Sequence, residues 1–596
     1  MSTTTVSDAT YTGSNANIDS LFWGGAWDTP GSGTTIIEYS LRFGSDPYSF
    51  FSGINYGNSW SAIETTAIET AFGMWEAVAD IDFQETLYYD DSEIWYWQGS
   101  DFEVGGLGWH EVPDSAGIEP LYGVFSYEGL GWDAGGLQAG GYGYLTLLHE
   151  IGHGLGLAHP HDNGGDSSIM PGVFSEYDFG TYDLNQGVWT VMTYNDGWMS
   201  EYPNHTIFNG YSDYDYSATP MALDIAAIQE IYGANTAHAA GDDTYVIPSA
   251  NGAGTYWSSL WDAGGYDVIS AEGSSRAYTI DLREAPLTGA NAGGYMNYSS
   301  GIVGGFTVAN GVVIEEGVGG SGNDTITGHN NGSTLRGGGG NDLITGGSAN
   351  DTIEGGNGSD TLNGGGGEDE FLGGAGGDAY DGGDAFDTIT YGADSGRILL
   401  DLQSDVSGSG FAVFYDGGAS SGDTFTSIEG ATGDVHADNL RGDSNANMFS
   451  GGASSDRLYG RAGDDILYGD GGADALYGNT GADYMVGGGG AVRDRFIYFN
   501  MTETGVGSGN RDRIDDFQSG TDRIEISRFD ADTTQGFKQG FDFVGSAGFS
   551  STAGELRYQV SGSSAIVQGD VDGDGSADFE IELLNVSSLI EADFLI

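Results

Sequence analysis

Residues 337–362 read GGGGNDLITGGSANDTIEGGNGSDTL, and an aspartate returns in this stretch every nine positions, at Asp342, Asp351 and Asp360. The ladder runs on in both directions: Asp324, Asp369, Asp378 and Asp387 keep the same phase, and only Ser333 breaks it. Two residues after each rung stands a sizeable apolar side chain, namely Ile326, Leu335, Ile344, Ile353, Leu362, Phe371, Tyr380 and Ile389. Glycine fills most of the turn positions between. This is the G-G-x-G-x-D-x-U-x period of a parallel β-roll. Glycine permits the left-handed backbone angles of a tight turn and lets carbonyl oxygens face inward, and an aspartate from a neighbouring turn completes an oxygen cage suited to Ca²⁺. The apolar residue fills a narrow core. A flexible glycine-rich linker would have no reason to hold aspartate and an apolar residue in phase over so many turns.

The candidate calcium ligands follow from the period: Gly338, Gly340 and Asp342; Gly347, Ala349 and Asp351; Gly356, Gly358 and Asp360; Gly365, Gly367 and Asp369; then Asp378 and Asp387. A second, less regular block over residues 433–490 keeps the phase at Asp438, Asp456, Asp465, Asp474 and Asp483, with Asn447 on the remaining rung.

Outward from the repeats, composition divides the chain. At 596 residues it is too long for one ordinary core. Residues 17–236 are rich in Trp, Tyr and Phe, the material of a globular domain. Residues 1–16 are set apart as a propeptide or disordered N-terminus. A β-rich connection is expected over 237–318, the first repeat block over 319–390, spacer strands over 391–432, and a C-terminal β region over 491–596 after the second block. Within the first domain, Trp60–Ala79 reads as an amphipathic helix with Ile63, Ala67, Ala71, Met74, Trp75 and Val78 at helical spacing. A strand is expected at Ile81–Glu85 and helices at Tyr144–Leu155 and Met221–Tyr232, the last stopped by Gly233.

With 16 Lys+Arg against 88 Asp+Glu, a formal charge of -72 repels nucleic acid phosphates and anionic membranes. Metal cations are the natural partners. There is no cysteine, so nothing is stapled by disulfides. Neither an N-terminal secretory signal nor an apolar run of about 20 residues occurs, so a soluble protein without a membrane anchor is expected.

The second constellation lies on the helix expected at Tyr144–Leu155. His149-Glu150-Ile151-Gly152-His153 places two imidazoles on one helix face with a carboxylate beside them. Gly156 can adopt positive φ and end the helix, so that the chain reverses and His159 returns as a third ligand. Three neutral nitrogens leave a fourth position open, the hallmark of a catalytic rather than a structural zinc site. Four of the nine histidines fall between His149 and His161. His161 sits outside the pattern and is expected to be solvent-exposed. Zinc lowers the pKa of water toward neutrality, and Glu150 is placed to act as general base in peptide hydrolysis and then to protonate the leaving amine.

His149 to His159, followed by Val191-Met192-Thr193-Tyr194, resembles the metzincin signature with its Met-turn, and the run from Met221 to Asn235 resembles the serralysin family in particular. The expected fold class is therefore α+β, a metzincin-type catalytic domain over 17–236, followed by an all-β parallel β-roll domain. The resemblance implies one catalytic Zn²⁺ and several structural Ca²⁺. It implies that Met192 supports the metal site from beneath and that Tyr194 coordinates zinc at rest and then stabilises the tetrahedral intermediate. It adds two calcium sites: one from Gly241, Asp243, Asp262, Gly264, Gly265 and Asp267, with Ala239 where the family has a basic residue, and one from Glu315, Gly320, Gly322 and Asp324. Asp570, Asp572, Asp574 and Asp578 resemble an acidic calcium loop or, equally, a solvated acidic turn. The resemblance also implies a secreted monomer acting on protein or peptide substrates. Glu591-Ala592-Asp593-Phe594-Leu595-Ile596 is similar to the C-terminal signal read by a type I secretion apparatus, with folding on extracellular calcium after export.

Two other function classes share features of this sequence. A calcium-binding surface or adhesion protein would use the same repeats, but would not need an intact HExxH helix. A lipase would need G-x-S-x-G, and Gly505-Val506-Gly507-Ser508-Gly509 puts its serine at the wrong place. Substrate selection is assigned to the loops between about His161 and Tyr216.

Overall fold

A computed structural model of the chain describes residues 6–8, 15–27, 33–42, 59–86, 92–113, 120–198, 200, 214–372, 374–392, 396–403, 410–414 and 422–596. It divides into two compact units, Met1–Val318 and Gly319–Ile596.

The first unit opens on β1 (Thr35–Leu41), α1 (Ala62–Val78), β2 (Ile81–Glu85), β3 (Ile94–Gly99), β4 (Gly108–His110) and β5 (Leu121–Ser126), followed by α2 (Tyr142–Gly154) and α3 (Ala222–Tyr232). The sheet order is β2-β1-β3-β5-β4, parallel throughout except for β4, which runs antiparallel to β5 at the edge. A parallel pair needs a crossover, and α1 supplies it between β1 and β2. Ser61 starts that helix with a reciprocal cap: Glu64 N–H donates to the Ser61 hydroxyl, and Ser61 N–H to the Glu64 carboxylate. The buried face is Ala67, Ile68, Ala71, Phe72, Trp75 and Val78. It is rotated from the expected stripe, so Ile63 lies exposed at the start while Phe72 stacks on Phe83 at 4.4 Å.

Val6–Asp8, within the stretch set apart as a propeptide or disordered N-terminus, pairs antiparallel with Gly25–Trp27. Residues 237–318 belong to the first unit. There Thr244–Val246, Val268–Ser270 and Glu316–Val318 run parallel, and Trp257–Leu260 pairs with Gly305–Val308.

The second unit is a parallel β-roll. Leu335 pairs with Ile353 and Ile344 with Leu362, so the register repeats every second nine-residue turn and successive turns alternate between two sheets. Ile326, Leu335, Ile344, Ile353, Leu362, Phe371, Tyr380 and Ile389 form the core between them, none more than 2% exposed. The roll outlasts the regular period. Strands Ile398–Asp401 and Gly410–Phe414 form an antiparallel excursion, after which Thr424–Thr426 stacks on Ala379–Asp384 and Gly430–Thr432 on Thr388–Thr390. Part of the expected spacer is therefore roll. So is the start of the expected C-terminal region, where Arg495–Ile497, Asp512–Asp515 and Arg523–Glu525 continue the parallel stacking. Antiparallel strands Glu555–Ser561, Ser564–Asp570 and Phe579–Leu583 follow, and Phe594–Leu595 adds parallel to Arg523–Glu525.

Turns stack so closely that a side chain cannot intervene at some rungs. Gly358 has φ +146°, and a Cβ there would lie 1.5 Å from the Gly340 carbonyl oxygen. Gly489 has nothing within 4 Å of such a Cβ. Gly358→Ala is expected to reduce the unfolding free energy of the calcium-replete second unit by at least ~2 kcal/mol, and Gly489→Ala by less than ~0.5 kcal/mol. Denaturant titration of the full-length chain checks the pair.

Candidate metal centre and active site

Helix α2 begins after Gly141 and is buried along almost its whole length. Gly152 decides what lies beneath it: a Cβ there would come within 2.7 Å of Met192 Sδ and 3.2 Å of the Trp75 ring. The glycine thus lets Met192, itself fully buried, pack directly under the helix. The last helical residue is Gly154 and Leu155 is the cap, its N–H still bonded to the Ile151 carbonyl at 3.0 Å, so that Gly156 stands just past the end as expected. Gly156 then takes φ +100°, the chain reverses, and Leu157 N–H returns to the Gly152 carbonyl at 2.9 Å.

That reversal brings three rings together. The Nε2 atoms of His149 and His153 each lie 3.1 Å from His159 Nε2. The Nδ1 atoms face outward: His149 Nδ1 is 2.7 Å from the Val191 carbonyl and His153 Nδ1 2.8 Å from the Leu157 carbonyl. A carbonyl only accepts, so both rings carry their proton on Nδ1 and present bare lone pairs on Nε2. His159 Nδ1 lies 2.7 Å from Asp162 Oδ2, which fixes the same tautomer in the third ring. Burial, and then the neighbouring imidazoles, push His149 down to about 3 and His153 well below its ordinary value. Three imidazole Nε2 atoms converge, a donor set that fits Zn²⁺.

Glu150 is buried beside these rings, and burial pushes its carboxyl up to about 8. Tyr194 is half-exposed with its ring 4.7 Å from that of His159 and 5.8 Å from that of His149. Burial, then the Glu150 charge, push its phenol up to about 12. Two cavities, of about 580 and 250 Å³, meet here; Gly108 of edge strand β4, Glu150 and Tyr194 line both.

Two residues stand differently from, or beyond, the sequence reading. His161 is not solvent-exposed: its side chain is 19% accessible, because the ring stacks on His159 at 4.9 Å and 19°. Asp224 of α3 had no assigned role, yet it holds the loop beneath the metal site. It accepts from Thr190 Oγ1 at 2.6 Å, Val191 N–H at 2.7 Å and Met221 N–H at 2.9 Å, and the Val191 carbonyl in turn holds His149. An aspartate in the first turn of an apolar helix was the available signal.

In the same unit Asp243, Asp262 and Asp267 bring one carboxylate oxygen each within 4.8 Å of the others. Gly264 N–H donates to Asp262 at 2.8 Å, and a Cβ on Gly265 would strike the Gly241 carbonyl. Asp267 accepts from Asp243 N–H, and its N–H donates to Glu315. Its other oxygen is buried without a partner, a position that fits a cation. Gly320, Gly322 and Asp324 belong to the second unit, where Gly320 N–H donates to Asp324 at 2.7 Å.

Along the uninterrupted turns a rung accepts a backbone N–H from the rung 18 residues earlier: Asp324 N–H donates to Asp342 Oδ1, Asp342 to Asp360, Asp351 to Asp369 and Asp438 to Asp456. The second oxygens of Asp342, Asp360, Asp369, Asp387, Asp456, Asp465, Asp474 and Asp483 are buried and unpartnered, which fits bound Ca²⁺. Asp351 gives its second oxygen to Gly347 N–H, and Asp378 accepts from Tyr380 Oη at 3.4 Å. Sequence phase missed the rungs after each insertion. Asp378 N–H donates to Asp423, Asp387 to Glu429, Asp474 to Asp494, Asp483 to Asp512 and Asp494 to Asp522. The D-x-apolar triplet, as in Asp423-Thr424-Phe425 or Asp522-Arg523-Ile524, was the surviving signal. At Asp570 both oxygens already accept, from Gly573 and Gly575 N–H, and Asp572 and Asp574 lie exposed near by.

The model of the family "Peptidase M10 serralysin C terminal" matches residues 222–596. The chain belongs to the serralysin family. Among its relatives the family includes the metallopeptidase AprA of Pseudomonas marginalis, 30% identical over 346 residues that cover 55% of this chain and 67% of that one. The serralysin of Photorhabdus laumondii subsp. laumondii is 30% identical over 47% of this chain and 56% of its own, and that of Proteus mirabilis 38% identical over 33% and 38%. The chain thus spans from about two-fifths to two-thirds of the length of these family members.

Two outcomes are expected. Asp162→Asn should weaken zinc affinity about 10–100-fold, measured by competition with a chromogenic chelator, since the His159 ring loses its anionic partner. The roll should respond to pH. Burial, then neighbouring carboxylates, push Asp456 and Asp465 up to about 8 and Asp342 and Asp494 up to about 7. Folded values above the unfolded one mean stability present below about pH 4 and lost as pH rises through about 7 to 8. In excess chelator the second unit should therefore melt at a higher temperature at pH 5 than at pH 8. Saturating Ca²⁺ should reverse the order, because only ionised carboxylates hold the cation. Thermal circular dichroism reads both.

Proposed function

We propose that this metallopeptidase of the serralysin family hydrolyses internal peptide bonds of extracellular proteins. His149, His153 and His159 would hold one zinc ion, with Glu150 as general base and Tyr194 assisting. The observation that carries the reading is the convergence of three bare Nε2 atoms beside a buried carboxyl that opens onto two cavities. A zinc ion there supplies a Lewis acid that polarises a carbonyl and makes water acidic near neutrality.

The chain's own residues do the rest. A peptide laid along β4, the edge strand among the described residues, would add to the sheet as a further strand and set its backbone past Gly108 and between Glu150 and Tyr194. Glu150, with its proton affinity raised by burial, takes a proton from the attacking water and returns it to the departing amine nitrogen. The Tyr194 phenol keeps its proton and can donate a hydrogen bond to the oxygen on which negative charge grows. Met192 and Asp224 hold the floor and the His149 tautomer in place.

The calcium rungs act on folding. Each nine-residue turn buries one sizeable apolar side chain, too little to offset the entropy of ordering its glycines. Calcium binding by the unpartnered aspartate oxygens supplies the difference where calcium is plentiful, outside the cell.

Glu150→Gln is expected to keep one zinc per chain by metal analysis while kcat/KM on an unfolded protein substrate falls about 10²–10⁴-fold. An unimpaired variant would remove Glu150 from the chemistry. A zinc-loaded wild type that cleaves no protein would end the peptidase reading.

A further inference from the structure

The smaller cavity is walled by Leu107, Tyr142, Leu145, Thr146 and, beside His149 and Glu150, by Asp196. A side chain seated there belongs to a residue flanking the bond that Glu150 serves. The cavity, at about 250 Å³, accommodates a single long side chain. Its apolar walls suit a methylene stem, and Asp196 suits a cationic head.

Asp196 is held in place by its neighbours. Asn195 and Gly197 both give their carbonyls to backbone N–H groups, of Gly187 at 2.7 Å and Val188 at 3.2 Å. Nearby Asp215 is itself engaged by the Trp257 indole N–H at 3.2 Å. Between Arg42 and Arg276 the sequence contains no Lys or Arg at all. An acidic residue lining a cavity in a region without Lys or Arg favours a cation supplied from outside.

We infer that Asp196 is a specificity-determining residue, which selects substrates with Lys or Arg next to the scissile bond by pairing with the basic head group in the smaller cavity. This rests on the peptidase reading above. The basic-poor sequence fits it in a second way, for the region from residue 43 to 275 offers such an enzyme no bond of its preferred kind in its own chain.

The test uses the full-length zinc- and calcium-loaded protein on a denatured proteome digest and on matched fluorogenic peptides that differ only in Lys, Arg, Leu or Glu at each position flanking the cleaved bond. Wild type should favour Lys and Arg at one flanking position. Asp196→Asn should lower the Lys-to-Leu ratio of kcat/KM roughly tenfold while cleaving the Leu peptide at close to the wild-type rate. Asp196→Lys should shift the preference toward Glu. Wild type cleaving without basic preference, or an Asp196→Asn variant that keeps it, overturns the inference and leaves the peptidase reading standing. Absence of cleavage of every peptide by wild type overturns both.

Discussion

Each of the three candidate zinc ligands points a bare nitrogen at the others because its remaining nitrogen is committed to an oxygen. Val191 and Leu157 carbonyls and the Asp162 carboxylate take the three Nδ1 protons, and 3.1 Å separations are left between lone pairs. The roll repeats the same arrangement in oxygen. One oxygen of each rung accepts a backbone N–H, and on most rungs the other is left buried and facing its neighbours. Lone pairs packed this way are costly alone and favourable around a cation. Both units are thus arranged as cation receptors, one with nitrogens and one with oxygens, in a chain whose formal charge is -72.

The difference between the two receptors follows from what surrounds them. The histidines stand on a helix packed above Met192 and Trp75, with Asp224 fastening the loop below. That scaffold is preorganised by apolar burial and by hydrogen bonds that owe nothing to the ion. The roll has only a single file of side chains between two sheets of short strands. Its carboxylates are held at raised proton affinity, so protons and calcium compete for the same oxygens. The metal would serve chemistry in the first case and folding in the second.

On the proposed peptidase reading, substrate handling would depend on a third feature, the antiparallel strand β4 at the edge of an otherwise parallel sheet. Its Gly108 lines both cavities, as does Glu150, so backbone and side-chain recognition would meet there. The stretch assigned to substrate selection, from about His161 to Tyr216, contributes Asp196, while residues 199 and 201–213 of it lie outside the described residues.

Short-range order was legible in the sequence. The HExxH spacing put two imidazoles on one helix face, Gly156 marked the reversal, and the nine-residue phase identified rungs and core of the roll, because periodicity along a regular element maps directly onto its faces. Contacts between segments far apart in the chain were not legible. His161 stacks on His159 instead of facing water, Asp224 reaches a loop more than thirty residues before it, and the rungs at Asp423, Glu429, Asp494, Asp512 and Asp522 resume after insertions that break the count. An insertion shifts sequence phase without shifting the hydrogen-bonded register, since an excursion can leave the coil and re-enter at the same rung. Only the tertiary structure records where the chain returns, and so only it brings Asp196 to the cavity beside Glu150.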